Sequence, residues 1–266
     1  MSVRWPFGLR QGGMRNRLIF ALDVSSITEA FGLVERLTAE VGMFKVGKQL
    51  FLHAGPQIVH GIRERGGEVF LDLKFHDIPR TVAKAAVEST RMGVRMFDVH
   101  ASGSLEMMQR TVAEVSKVCR GEGLRRPKVL AVTVLTSLNR DDLKRVGVAS
   151  GVENQVVRLA RLAMEAKMDG VVASPQEIAP IRKECGRGFL IVTPGVRLRG
   201  ATWEDQKRVM TPEAAIRAGA DYLVVGQPIR DAADPVAAAR EMVAAMERGL
   251  SSPERRGRTS LDPAEP

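Results

Sequence analysis

The sequence is short of the residues that build disulfide frameworks, zinc sites and base-stacking surfaces. Two cysteines, Cys119 and Cys185, occur in 266 residues, too few for a disulfide scaffold, and no secretory leader is legible ahead of the first apolar run. The expected compartment is therefore a reducing cytoplasm. Four histidines, His53, His60, His76 and His100, form no zinc-type pattern with cysteine. Aromatic residues make up 5% of the chain, with a single tyrosine, so platforms for stacked bases are scarce. Charged side chains break every apolar run well short of about 18 residues, and no membrane span is expected. What is present in quantity is aliphatic material: with 44% hydrophobic and 27% charged residues, the chain can bury one large core or two small ones.

The formal charge is +9, which by itself suggests nucleic acid. Its distribution argues against that partner. Residues 1–17 hold Arg4, Arg10, Arg15 and Arg17 without an acid, while residues 251–266 are balanced, so the ends contribute +4 and zero. The remaining +5 is spread over 18–250 without a Lys/Arg run. An anionic small substrate explains a basic surface equally well.

Residues 1–16 are glycine-rich without apolar periodicity and read as a flexible N-terminal extension. Residues 251–266, rich in Pro, Ser and Arg, read as a disordered tail. Between them, at 17–250, short apolar runs at 18–22, 43–46, 69–73, 96–99, 129–134, 170–173, 189–192 and 222–225 are each followed by a segment with helical spacing. Those segments are 28–40, 56–65, 82–92, 105–120, 153–167, 175–183, 212–218 and 234–247. Eight doubly buried strands alternating with eight helices predict a single (β/α)8 TIM barrel. The competing open doubly wound sheet usually carries a glycine-rich turn after its first strand, where this chain reads Ala21-Leu22-Asp23-Val24-Ser25.

In such a barrel, catalytic groups belong at the C-terminal ends of the strands. That filter selects Asp23, Lys45, Lys48, Asp72, Lys74, His76, Asp77, Asp98, His100, Thr136 and Ser137. Strand alternation turns Asp72 and Lys74 to the same side, with Lys45 on the neighbouring strand within reach. An isolated Asp-x-Lys reads first as an ion pair closing the barrel end, but four charges gathered at one mouth favour chemistry. After the seventh and eighth strands, Thr193-Pro194-Gly195-Val196-Arg197 and Gly226-Gln227-Pro228 occupy the loops that bind phosphate in many barrels. No histidine or cysteine is assigned a catalytic role.

These segments, together with Lys45-Val46-Gly47, Asp72-Leu73-Lys74-Phe75-His76-Asp77-Ile78-Pro79 and Val134-Leu135-Thr136-Ser137, resemble the bacterial orotidine 5'-phosphate decarboxylase family in order from about 18 to 248. The resemblance implies conversion of orotidine 5'-monophosphate to uridine 5'-monophosphate, the last step of pyrimidine synthesis, without metal or organic cofactor. It implies that Lys74 protonates C6, Asp72 lies near the substrate carboxylate, Lys45 holds the charge array and reaches the ribose, and Asp23 binds ribose hydroxyls. It further implies a homodimer in which Asp77, Ile78 and Thr81 enter the partner's site. Thr136 is carried over as a base-side contact, and Arg197, Gln206, Gly226 and Gln227 as phosphate-side contacts.

Two positions depart from the family pattern. Gln227 stands where an arginine is usual and Arg80 where an asparagine is usual; Arg230 is a candidate to replace the missing charge. Two other readings keep the scaffold: a magnesium-dependent barrel acting on sugar phosphates, with the carboxylates as ligands, and a basic barrel that binds nucleotides or RNA without chemistry.

Overall fold

A computed structural model describes residues 13–198 and 210–251. Its eight parallel strands hydrogen-bond in sequence order and close on themselves, β1 pairing with β8, so the predicted (β/α)8 barrel is the fold. The strands are β1 (Leu18–Ala21), β2 (Met43–Gly47), β3 (Val69–Phe75), β4 (Met96–His100), β5 (Lys128–Val132), β6 (Gly170–Val172), β7 (Leu190–Thr193) and β8 (Tyr222–Val225).

The helices that cover them are α1 (Ile27–Leu37), α2 (Lys48–Ala54), α3 (Gln57–Glu64), α4 (Pro79–Arg91), α5 (Leu105–Glu122), α6 (Arg140–Arg145), α7 (Val152–Glu165), α8 (Ile178–Cys185), α9 (Pro212–Ala218), α10 (Gln227–Arg230) and α11 (Pro235–Ser251). Local chemistry sets their ends. Ser26 Oγ accepts from the Glu29 N–H at 3.1 Å to start α1, and Pro79 opens α4 at a position whose missing N–H costs nothing.

The differences from expectation have local causes. The segment predicted as one helix near 56–65 is preceded by a separate helix, because Gly55 at φ 64° followed by Pro56 breaks the chain between α2 and α3. The unpredicted α6 begins in a capping box: Asn139 Oδ1 accepts from Asp141 and Asp142 N–H, and the Asp142 carboxylate accepts from the Asn139 N–H. β3 runs two residues further than expected, carrying Lys74 within the strand. The fold also begins earlier than residue 17. Met14–Arg17 form a 3-10 turn with Met14 and Arg17 buried, and the Arg17 guanidinium donates to the Asp221 and Ala220 carbonyls at 2.6 and 2.5 Å.

Two apolar layers divide by strand alternation. Ile19, Ala21, Met43, Phe70, Met96 and Leu130, among others, fill the barrel interior. Phe20, Phe44, Leu71, Phe97 and Val129 face outward beneath the helices, with Phe20 and Phe44 packed edge to face at 6.3 Å. Two residues beyond the interior positions Ala21, Met43, Phe70 and Met96 stand Asp23, Lys45, Asp72 and Asp98. The period of the strands therefore lifts charged groups to one mouth of an otherwise apolar tube.

At the opposite end Asp221, 3% exposed, pairs with Arg182 and accepts the Ile191 N–H at 2.8 Å. Arg182 also donates from Nε to the Gly219 carbonyl at 2.9 Å. Asp221→Ala leaves Arg182 without its counter-charge and is expected to destabilise the fold by about 3 kcal/mol, read as a lowered denaturant midpoint. Because this pair lies at the far end from the charged mouth, an unchanged midpoint would mean it contributes nothing net.

Candidate active site

At the mouth, Lys45 from β2, Asp72 and Lys74 from β3 and Asp23 after β1 come together as the sequence predicts. Lys45 Nζ stands 3.2 Å from Asp23 Oδ1 and 3.2 Å from Asp72 Oδ2, while Asp72 Oδ1 is held by Lys74 Nζ. Each oxygen of Asp72 thus faces a different ammonium. The Lys45 and Asp72 side chains are 12% exposed and Asp23 is 55% exposed, so the array runs from solvent into the barrel with alternating sign.

That alternation decides the protonation states. Burial alone pushes Lys45 down, but Asp72 and Asp23 outweigh it and hold its pKa above the usual lysine value. Burial likewise pushes Asp72 up, and Lys45, with its neighbours Asp98 and Lys74, holds it below the usual carboxylate value. Both groups stay charged across the neutral range.

Lys74 reaches this position by a route that simple alternation does not describe. It adopts φ 53°, a left-handed conformation that costs an L-residue about 1–2 kcal/mol. Between β3 and β4 the register passes from Leu71 opposite Phe97 to Phe75 opposite Val99, so four residues on one strand span two on the other. The Lys74 N–H leaves the ladder and donates to Asp98 Oδ1 at 2.8 Å. Asp98 is fully buried, and burial followed by the Asp72 charge pushes its pKa well above the usual carboxylate range. Its place at the end of the fourth strand is legible in the sequence, but its contact with Lys74 is not, since it depends on the bulge.

The array overlooks two connected hollows. One, of about 320 Å³, is lined by Asp23, Lys45, Lys48, Asp72 and Lys74. The other, of about 180 Å³, adds Phe70, Val132, Val172, Pro194, Val224 and Thr136, a largely apolar slot beside the ammonium of Lys74. Leu135, from the segment Val134-Leu135-Thr136-Ser137, lines both; the valines carry no sequence pattern apart from strand burial. A larger hollow of about 890 Å³ opens at the other barrel end around Arg95, Lys128 and Tyr222. Its Lys128 and Arg125 pair with Asp169 and Glu68, and it lacks the alternating array.

In the loops where the sequence places phosphate binding, Gly195 takes φ 75° after β7, and the Arg197 N–H donates to the Met210 carbonyl at 3.2 Å. At Gly226 a Cβ would lie 3.2 Å from Ala21 Cβ and 3.3 Å from Asp23 Oδ2, so the glycine permits β8 to end against the array. Gln227 opens α10, a single turn. Arg230 does not offer the free charge expected as a replacement: its Nε and Nη2 hold Asp231 at 2.6 and 3.0 Å, and Nη1 donates to the Asp23 carbonyl at 2.7 Å. Gln206 lies outside the described residues.

Asp77, Ile78 and Thr81 are not drawn into this site. All three are exposed at the start of α4, Ile78 at 66%, and the Asp77 carboxylate accepts the Ile78 N–H at 2.6 Å. Among the described residues no helix is long and apolar enough to cross a membrane.

A family model described as orotidine 5'-phosphate decarboxylase / HUMPS family matches residues 16–242. The orotidine 5'-phosphate decarboxylase of Geobacter sulfurreducens is 58% identical over 229 residues, covering 86% of this chain and 95% of that protein. The protein of the same name from Geotalea daltonii is 53% identical over 235 residues, covering 88% and 98%. Among solved structures, orotidine 5'-phosphate decarboxylase from Lactobacillus acidophilus superposes with a TM-score of 0.77 at 33% identity, covering 86% of this chain and 98% of that one.

His100, at the end of β4, packs its ring 5.3 Å from that of His76. Burial, then the neighbouring His76, Lys74 and Lys48, push its pKa down to about 4. A histidine held neutral in the fold stabilises fully above its unfolded pKa of about 6.5, and that contribution is lost as pH falls from there through about 4. His100→Gln is expected to flatten the loss of stability over this window in denaturation midpoints; an equally steep acid limb would show that His100 charges freely in the fold.

Proposed function

The chain belongs to the orotidine 5'-phosphate decarboxylase / HUMPS family, and from that premise we propose that it converts orotidine 5'-monophosphate to uridine 5'-monophosphate by protonation of C6 from Lys74. The observation that carries the reading is the Lys45–Asp72–Lys74 array above an apolar slot. In the reaction the bond from C6 to the carboxylate breaks, carbon dioxide departs, and the electron pair remains in the ring plane where the pyrimidine cannot delocalise it. The barrier must then fall through charge fixed in place beforehand. The Lys74 ammonium attracts this developing charge more strongly than the dispersed charge of the ground-state carboxylate, and passes its proton to C6. Solvent restores the proton, and the balance is one proton consumed per carbon dioxide released.

The other groups follow from the same placement. Asp72 sits beside the substrate carboxylate and holds Lys74 oriented, while Lys45 and Asp23 meet the ribose. The slot of Phe70, Val132, Val172, Val224 and Thr136 takes the pyrimidine. Arg197, Gln206, Gly226 and Gln227 take the phosphate, whose remote binding energy closes the site. Asp77, Ile78 and Thr81, exposed on one chain, serve the site of a second copy, so that a cytoplasmic homodimer is the working unit. No metal or organic cofactor enters this scheme. A magnesium-dependent reaction would need Asp72 as a ligand, and both its oxygens are already taken by ammonium groups.

Decay of orotidine 5'-monophosphate absorbance is expected with the unmutated protein, unchanged by EDTA, and Lys74→Ala is expected to lower kcat by at least about 10³-fold. No turnover by the unmutated protein would overturn the assignment, and a fast Lys74→Ala would overturn the role of the lysine. The missing charge at Gln227 predicts a weakened hold on phosphate. Gln227→Arg is expected to lower KM by about tenfold, the scale of one charge-assisted hydrogen bond, with kcat at saturation nearly constant; an unchanged KM refutes this.

A further inference from the structure

Asp98 has an unusual position within the array. It is fully buried on β4, and its Oδ1 accepts the Lys74 N–H at 2.8 Å. Its Oδ2 is shielded from solvent and meets no hydrogen-bond partner, and Asp72, which holds the ammonium of the same Lys74 whose N–H Asp98 accepts, is its acidic neighbour. An ionised oxygen buried without a donor, beside a second carboxylate, is among the costliest arrangements a protein interior can hold. A proton removes both penalties at once: the orphaned oxygen becomes a donor, and the Asp72 carboxylate is its acceptor. The charges around it agree, because Lys45 and Lys74 are already matched by Asp72 and Asp23, and an ionised Asp98 would be in excess.

We propose that Asp98 is a positioning residue that works as a neutral acid, one oxygen holding the Lys74 backbone in its left-handed turn and the other donating its proton to Asp72. A single carboxyl then fixes both ends of the catalytic ion pair: the main chain from which Lys74 departs and the carboxylate that receives its ammonium. The direction of its pKa, set first by burial and then by Asp72, is consistent with this. The inference rests on the decarboxylase reading and specifies how Lys74 is aimed.

The test compares orotidine 5'-monophosphate turnover and the infrared spectrum of the unmutated protein, Asp98→Asn and Asp98→Ala. Asparagine keeps an acceptor for the Lys74 N–H and a donor for Asp72, so Asp98→Asn is expected to hold kcat within about threefold, one neutral hydrogen bond replacing another. Asp98→Ala is expected to lose about 10²-fold in kcat with little change in KM, the scale of a misplaced reacting group. Asp98→Leu, of similar shape, takes its place if the alanine variant does not fold. At neutral pH the carbonyl stretch of a protonated carboxyl should be present in the unmutated protein and absent from Asp98→Asn. Loss in Asp98→Asn as deep as in Asp98→Ala, full kcat in Asp98→Ala, or absence of the band would overturn the proposal. The infrared band requires no substrate, so failure of the decarboxylase reading is told apart from failure of this one.

Discussion

The active end of the molecule depends on one carboxylate shared by two ammonium groups. Asp72 offers an oxygen each to Lys45 and Lys74, and its depressed pKa shows that their attraction outweighs its burial. Removing any member of such a set leaves a partly buried charge without its partner, which costs far more than the intact set contributes. The array is therefore held together by mutual necessity, and an ammonium kept in place before substrate arrives needs no reorganisation when charge develops beside it.

The barrel supplies what the array requires. Interior side chains such as Met43, Phe70, Met96 and Leu130 exclude water from beneath the charges, which strengthens every interaction above them. The strands themselves, fixed on both sides by the closed ladder, hold the charged side chains more tightly than loops can. Stability devices lie elsewhere: Arg17, Arg182 and Asp221 tie β1, β7 and β8 together at the other end. This separation lets the mouth carry strain and uncovered charge without loosening the fold.

How much of this is legible in the sequence follows from which features are periodic. The eight strands and the placement of Asp23, Lys45 and Asp72 rest on a repeat of two that any strand imposes, and the structure reproduces them. Lys74 meets Asp72 as alternation predicts, yet by a left-handed turn that alternation does not contain, because the bulge is completed by Asp98 on another strand. The break between α2 and α3 was written in Gly55-Pro56, and α6 in the Asn139–Asp142 capping box; both are local signs that apolar spacing alone passes over. Arg230 shows the reverse error. Its distance along the chain from Gln227 suits a replacement cation, but Asp231 and the Asp23 carbonyl engage it.

That engagement explains why Arg230 is not simply available to an anion at the mouth. To reach an anion, Arg230 would have to leave a carboxylate at 2.6 Å and a carbonyl at 2.7 Å, exchanging charge-assisted bonds for others of similar strength and gaining little net. Its contact with the Asp23 main chain also steadies the residue that meets Lys45, so its withdrawal would be felt in the array. The two halves of the mouth are consequently built on different terms. The charges of the array stand on or next to the strands, whereas the loops after β7 and β8 carry Gly195 at φ 75° and Gly226, whose missing Cβ lets the chain lie against Ala21 and Asp23. A change in a loop leaves the strand-borne charges where they are, so the proposed reading separates binding, which the loops would set, from turnover, which the array would set.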